Sequence, residues 1–274
     1  LAAEELNVTQ VAVSRQVRVL EQYLQVSLFE RGVRSLRLTD AGRGLLTELG
    51  PALDRVESAV AKISRRSRKD ALSIQVYTSF AQRWLIPRLL TFRERHPLIE
   101  IDLRVSDQPL NFERQNLDAA IISAVEPADE FASVLLAGRE IFPICAPSLI
   151  RSQTIPLKPE ALKRMTLLHS LARPDHWPEW LQGAGYPMTG ATSGLRFETS
   201  SMTLEAAVAG VGIAIGIRML VEAELSSGEL VMPFRHIHQS PRKYYLVTPK
   251  GQLRRPALSV FADWLVAEAA HYRS

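Results

Sequence analysis

At 274 residues, with 46% hydrophobic and 23% charged, the chain has the balance of a folded protein and not of a disordered one, and its length suits two or three domains. The apolar run Val208–Ile217 is short and broken by Gly210, Gly212 and Gly216, so it reads neither as a membrane span nor as a signal peptide, and the chain is expected in the cytoplasm. The net charge of +4 is unevenly spread: residues 1–70 hold twelve Lys/Arg against nine Asp/Glu, the rest twenty-one against twenty, which suggests a polyanion met by one end. Cys145 stands alone, which excludes an intramolecular disulfide and reads as core packing.

Leu1–Leu6 reads as the end of a helix, Asn7-Val8-Thr9 as a tight turn, and Thr9 as the N-cap of a second helix, about Gln10 to Leu24. Val13, Val17, Leu20 and Leu24 form an apolar stripe on that helix. Gln10, Ser14 and Arg18, with Arg15 beside them, share another face and carry the amide, hydroxyl and guanidinium groups that reach base edges and phosphates. For an arbitrary polar face a solvated surface is the commoner meaning. Here a hairpin pattern follows, Leu28–Thr39 with Gly32 in its turn, and a hairpin directly after a recognition helix is a wing. Arg31, Arg34 and Arg37 charge it for a phosphate backbone or a minor groove.

Thr39-Asp40 can cap a long helix in which Leu46, Leu49, Leu53, Val56, Val60 and Ile63 follow coiled-coil spacing. So narrow a seam is best buried against a second chain. Gly50-Pro51 predicts a bend. The basic run Lys62 to Lys69 reads as the solvated end of this helix and only secondarily as a DNA contact.

From Leu72 onward, strand-like and helical runs alternate as in an α/β domain with largely parallel sheets. Strands are predicted at Leu72–Tyr77, Ile99–Val105, Ala119–Ile122, Val211–Ile217 and Tyr244–Thr248. Helices are predicted at Arg83–Arg95, Ser201–Ala209 and Pro256–Tyr272. Ligands of open parallel sheets bind beyond the strands' carboxyl ends, beside helix N-termini. Two such places carry hydroxyls: Thr78-Ser79-Phe80 after the first strand, and Thr199-Ser200-Ser201-Met202-Thr203 before the helical stretch Glu205–Ala209. Facing each other, they could grip a small anion or polar metabolite; the alternative is that both are ordinary N-caps. Asp118 is a weaker candidate for the same cleft.

Catalytic and metal patterns are poor by comparison. No G-x-S-x-G, P-loop, G-x-G-x-x-G or H-E-x-x-H motif occurs, and Gly190–Gly194 has the wrong spacing for a nucleophile elbow. His236 and His238 would share a strand face but have no Cys or adjacent carboxylate, and Asp175-His176 lies in a Trp/Pro-rich stretch read as a loop. No metal, cofactor or catalytic residue is assigned.

The blocks Thr9–Val17, Leu20-Glu21, Leu28–Arg31 and Leu38–Gly42 together closely resemble the winged helix-turn-helix of LysR-type regulators. The likeness continues through Trp84–Leu89, Phe92 with His96-Pro97, and Glu205–Ala214, which resemble the effector domain of the branch that includes glycine-cleavage and β-lactamase regulators. It implies a winged helix-turn-helix over residues 1–38 and a dimerising linker helix over 39–69. Residues 70–274 would form a two-lobed α/β effector domain like periplasmic binding proteins. Its lobes would be about 72–143 plus 241–274 and about 144–240, joined by crossover strands with the effector between them.

The implied DNA contacts are Thr9, Gln10, Ser14, Arg15, Arg18, Arg31 and Arg34; the implied effector contacts are Thr78, Ser79, Phe80, Asp118, Ser200, Ser201 and Met202. The implied partners are double-stranded DNA, a small-molecule effector, further copies in a homodimer or homotetramer, and RNA polymerase, with no membrane. Val11 stands where many members have Pro or Ser, and Ser123 where many have Arg. Members begin roughly twenty residues earlier, the length of one helix and its turn, so the natural N-terminus is expected to lie upstream. A solute-binding protein without a DNA role, or an enzyme, are the alternatives; DNA binding separates them from this reading.

Overall fold

A computed structural model describes residues 3, 8–31, 36–50, 52–53, 71–106, 109–151, 153–186 and 193–273. The chain divides into two units, Leu1–Ser64 and Arg65–Ser274.

In the first unit, Thr9 caps α1 (Gln10–Leu24): its Oγ1 accepts from the Ala12 N–H at 3.2 Å, satisfying a first-turn donor that lacks a helical partner. Gln25 closes the helix in the left-handed conformation at φ 54°. The Glu21 carboxylate then ties helix to wing, accepting from the backbone N–H groups of Leu28 at 2.8 Å and Phe29 at 3.2 Å. Strands β1 (Phe29–Arg31) and β2 (Leu36–Leu38) pair antiparallel as the predicted wing. Thr39 starts the next helix, over 40–50, its Oγ1 accepting from Gly42 N–H at 3.0 Å and donating to Ser27 O at 2.7 Å. The α1 stripe is only partly covered within this unit. Val13 and Val17 are half-buried and Leu20 and Leu24 exposed, because Leu28 and Gly42 are the only buried positions among the unit's described residues. Pro51 and the run 62–69 lie outside the described residues.

The second unit is built on a six-stranded sheet: β3 (Ala71–Val76), β4 (Glu100–Val105), β5 (Ala119–Ala124), β6 (Phe131–Ile144), β9 (Ala214–Ile217) and β10 (His238–Pro249). Its order is β4-β3-β5-β10-β6-β9, while β7 (Leu168–Ser170) and β8 (Leu195–Phe197) form a small parallel pair. The expectation of largely parallel sheets needs correction. β3 runs parallel to β4 and β5, but β10 is antiparallel to β5 and β6, and β6 to β9. The 14-residue β6, which supplies two of these antiparallel pairings, ends in the continuously buried run Ile141–Ile144, so period-2 patterning does not reveal it.

β6 and β10 are the longest strands of this α/β domain and pair along most of their length. Phe131–Ala137 of β6 pairs with Tyr244–Pro249, Arg139–Ile141 with His238–Ser240, and Ile141–Ile144 with β9. Between Ser240 and Tyr244 the register breaks.

The helix expected over 83–95 is divided. After α2 (Thr78–Phe80) come a π-turn (Ala81–Leu85), a 3-10 turn (Ile86–Arg88) and α3 (Leu89–Arg95), since Pro87 has no N–H to continue a regular ladder. Short α4 (Phe112–Gln115) precedes β5. The stretch around Asp175-His176 is not a loop but opens α5 (His176–Gly183). α6 (Ser200–Val208) lies where a helix was expected, α7 (Arg218–Ser227) follows β9, and α8 (Pro256–Glu268) closes the chain. In the core, Phe80 packs against Trp84 and Tyr244, Phe92 against Phe261 and Trp264, and Trp180 against Trp177 and Phe234. Cys145 is fully buried, and burial pushes its thiol pKa up to about 11. Among the described residues no helix is long and apolar enough to cross a membrane.

Candidate functional site

The carboxyl end of β3 and the N-termini of α5 and α6 converge on one small cleft that opens to solvent. Tyr77, Thr78 and Ser79 form one side because the parallel strand β3 ends there. Thr199 and Ser200 face them: Thr199 caps α6, its Oγ1 accepting from Met202 N–H at 3.3 Å, and Ser200 Oγ donates to Ser170 Oγ at 3.1 Å. Arg173 and His176 come from the turn into α5, and Ile217 and Tyr244 complete the lining. The Arg173 guanidinium stacks 4.4 Å over Tyr77 and donates to Ala172 O at 2.8 Å.

Behind His176 and Tyr244 lies Arg139, 1% exposed on β6. Its Nη2 donates to His176 Nε2 at 2.9 Å and its Nη1 to Ser123 Oγ at 3.1 Å; the guanidinium carbon is 6.0 Å from the Tyr244 ring centre. A guanidinium only donates, so Nε2 accepts and the imidazole proton sits on Nδ1. Burial first, then the charges of Arg139, Arg173 and Arg242, hold the His176 pKa well below the ordinary imidazole value. Burial likewise raises the pKa of Tyr244, so its hydroxyl stays protonated.

Of the effector residues read from the sequence, the structure brings Thr78, Ser79 and Ser200 together. Phe80 is a core side chain, Ser201 donates to Gln82 Oε1, and Met202 projects outward at 51% exposure. Asp118 lies elsewhere: it precedes β5, at the opposite end of the parallel strands, where it accepts from Ser73 N–H at 2.8 Å and pairs with Arg255. Its carboxylate fixes the start of the sheet and is not part of the cleft. Arg139, Arg173, His176 and Tyr244 escaped the sequence reading. The available signal was the Asp175-His176 step opening an amphipathic helix, and an Arg inside a strand-length apolar run. His236 and His238 lie with ring centres 6.1 Å apart, and no group of three or more potential metal ligands occurs among the described residues.

On the first unit, Gln10, Ser14, Arg15 and Arg18 all project to the surface of α1 beside the cap Thr9, and Val11 is 78% exposed, free of packing. Arg31 ends β1, while its side chain and all of Arg34 lie outside the described residues. Leu46, Leu49 and Leu53 are exposed; Val56, Val60 and Ile63 lie outside the described residues.

Residues 65–270 match the LysR substrate binding domain, and residues 1–43 the bacterial regulatory helix-turn-helix of the lysR family. The chain is 34% identical over 270 residues to the glycine cleavage system transcriptional activator of Escherichia coli K12, covering 98% of this chain and 88% of that one. The effector domain of the regulator AmpR of Pseudomonas aeruginosa is 30% identical with a TM-score of 0.63, covering 74% of this chain and 96% of that one. An effector binding domain of Citrobacter freundii carrying Thr-to-Val, Ser-to-Ala and Tyr-to-Phe substitutions is 27% identical with a TM-score of 0.64, covering 72% and 98%.

Proposed function

Since the chain belongs to the LysR family of helix-turn-helix transcriptional regulators, we propose that its signal is a small molecule held in the cleft between Thr78, Ser79, Arg173, His176 and Ser200. DNA binding by the N-terminal helix-turn-helix, governed by an effector-binding domain, is the function the family assigns it. Residues 1–38 form the winged domain, 39–69 the helix that pairs chains into dimers and tetramers, and 70–274 the sensor. The sensor's lobes are 72–143 with 241–274, and 144–240. Gln10, Ser14, Arg15 and Arg18 read a major groove next to Thr9, the exposed Val11 is placed for a thymine methyl, and Arg31 and Arg34 follow the backbone. RNA polymerase is the partner at the promoter, the cytoplasm the compartment, and no catalytic step or cofactor enters.

The observation that carries the effector reading is the convergence of hydroxyl and cationic donors from three separate elements on one cleft. The Citrobacter domain's three substitutions each remove the hydroxyl of a Thr, a Ser or a Tyr, the types of hydroxyl that Thr78, Ser200 and Tyr244 bring here. The test is binding of the full chain to DNA upstream of its own gene. Affinity is expected to fall steeply with salt, as phosphate contacts require, and Arg15→Ala to lower it by about five- to a hundredfold, or ~1–3 kcal/mol. Unchanged operator affinity in Arg15→Ala would remove the recognition-helix assignment.

A further inference from the structure

Arg139 is a buried cation with no acid beside it. It is 1% exposed, its Nε has no hydrogen-bond partner, and its two remaining contacts, Ser123 Oγ and His176 Nε2, are neutral. No carboxylate among the described residues pairs with it or with Arg173. The nearby Asp175 carboxylate instead approaches Arg242 at 3.6 Å. A guanidinium stays protonated under any physiological condition, so burying one uncompensated is strongly unfavourable unless something supplies the negative charge.

The cleft in front of it offers only donors, hydroxyls and apolar groups. No Asp or Glu lines it, nor the small adjoining recess that shares Arg173, His176 and Ser200 and is also lined by Leu168 and Trp177. Arg173 lines both spaces. His176 lines both too, and because Arg139 occupies its Nε2, its Nδ1–H is the ring's donor, polarised by the cation behind it. The first-turn N–H groups of α6 add further donors under Thr199.

Resting on the effector reading of this cleft, we propose that the molecule it takes is a small carboxylate, and that Arg139 is the charge that selects it, acting through the neutral ring of His176. Arg139 is therefore a positioning residue: it holds one tautomer of His176 and supplies the electrostatic bias, while Arg173, His176 and the hydroxyls make the contact. The adjoining recess receives the short uncharged remainder of the ligand.

The experiment compares acids with their own amides on the full chain, at matched ionic strength in chloride: glycolate with glycolamide, lactate with lactamide, benzoate with benzamide, and inorganic phosphate as a second kind of anion. Binding is read by thermal shift and by tryptophan fluorescence, since Trp177 lines the recess. At least one carboxylate is expected to bind tenfold or more tightly than its amide and more tightly than phosphate. In Arg139→Met that acid-to-amide ratio should collapse toward one, a change that a purely structural role for Arg139 would not produce. Should Arg139→Met not fold, Arg139→Lys, which keeps the charge, should keep the preference for acid, and the wild-type ratio stands by itself as a test. Amides binding as well as acids, phosphate outcompeting every carboxylate, a preserved ratio in Arg139→Met, or no response to any acid would each overturn the proposal. Failure of the underlying cleft reading looks different: a compound, charged or not, that binds Thr78→Val and Ser200→Ala as it binds the wild type.

Discussion

His176 carries a pH signature of its own. Its pKa is depressed in the folded chain, by burial and then by the guanidinium groups of Arg139, Arg173 and Arg242, whereas in the unfolded chain an imidazole titrates near about 6.5. Below that pH the unfolded state binds more protons than the folded one, so stability present at neutral pH is lost as pH falls through the unfolded value. The melting temperature of the wild type should therefore drop between about pH 7 and pH 5, and His176→Gln should flatten that slope. An unaltered slope in the variant would show that His176 is not held neutral. Gly42 supports a second expectation at this scale. A Cβ there would stand 2.2 Å from the backbone oxygen of Leu28, an atom fixed by the Thr39 N–H bond at 3.0 Å. Gly42→Ala should therefore destabilise the winged unit by about 1–3 kcal/mol and weaken operator binding, read by denaturation and by DNA titration. Gly42 was legible in the sequence as part of a family block, and Thr9 as a cap. His176 was visible but set aside, because its partner Arg139 lies 37 residues away and no local pattern joins them.

At the scale of elements, α6 couples local chemistry to the cleft. Thr199 caps it, Oγ1 accepting from Met202 N–H and the main-chain oxygen accepting from Thr203 Oγ1 at 3.0 Å, which fixes where the helix begins and so where Ser200 points. Thr199→Ala should cost about 1 kcal/mol of stability and also weaken binding of any ligand that stabilises the wild type. A stability loss with ligand affinity intact would make the cap purely structural. Most elements around this helix could be read from sequence: β3, β4, β5, α6 and α8 each overlap a strand or helix predicted there. Those that could not are instructive. The long β6 carries Gly138, Arg139, Glu140 and Pro143 in its second half, α7 follows β9 with no side-chain cap to announce it, and the helix after β3 is cut by Pro87 into turns of three kinds. In each case tertiary packing settled what propensity left open.

For the sensor as a whole, the two sides of the cleft are also joined outside it. Arg83, in the π-turn after β3, pairs with Glu205 of α6 at 2.7 Å and with Glu224 of α7, and Ser201 of α6 donates to Gln82. The Arg83 side chain is only 9% exposed and that of Glu224 19%, so this pair is shielded from solvent while the Glu205 contact, at 70%, is not. Arg83→Ala strands the Glu224 carboxylate and should destabilise the sensor by about 3 kcal/mol, whereas Glu205→Gln should change stability by less than ~1 kcal/mol. Equal effects from the two, measured by denaturant melts, would mean that both contacts are surface pairs. No local pattern announces the Arg83 ion pairs, since Arg83 lies 122 positions from Glu205 and 141 from Glu224 and each is an ordinary charged residue on a helical turn.

The two long strands carry a mechanical meaning. β6 and β10 lie side by side as a pair of straps, and their register breaks where Arg139 and Tyr244 sit, at the floor of the cleft. Two adjacent straps resist sliding, which would tear their ladder of hydrogen bonds, but yield to torsion where the ladder is already interrupted. The interruption therefore lies beneath the proposed effector cleft. On the proposed reading, a molecule seated there would act with a very short moment arm, for which a charge is a suitably concentrated force, and any angle it set would show as the largest arc at the ends farthest from it.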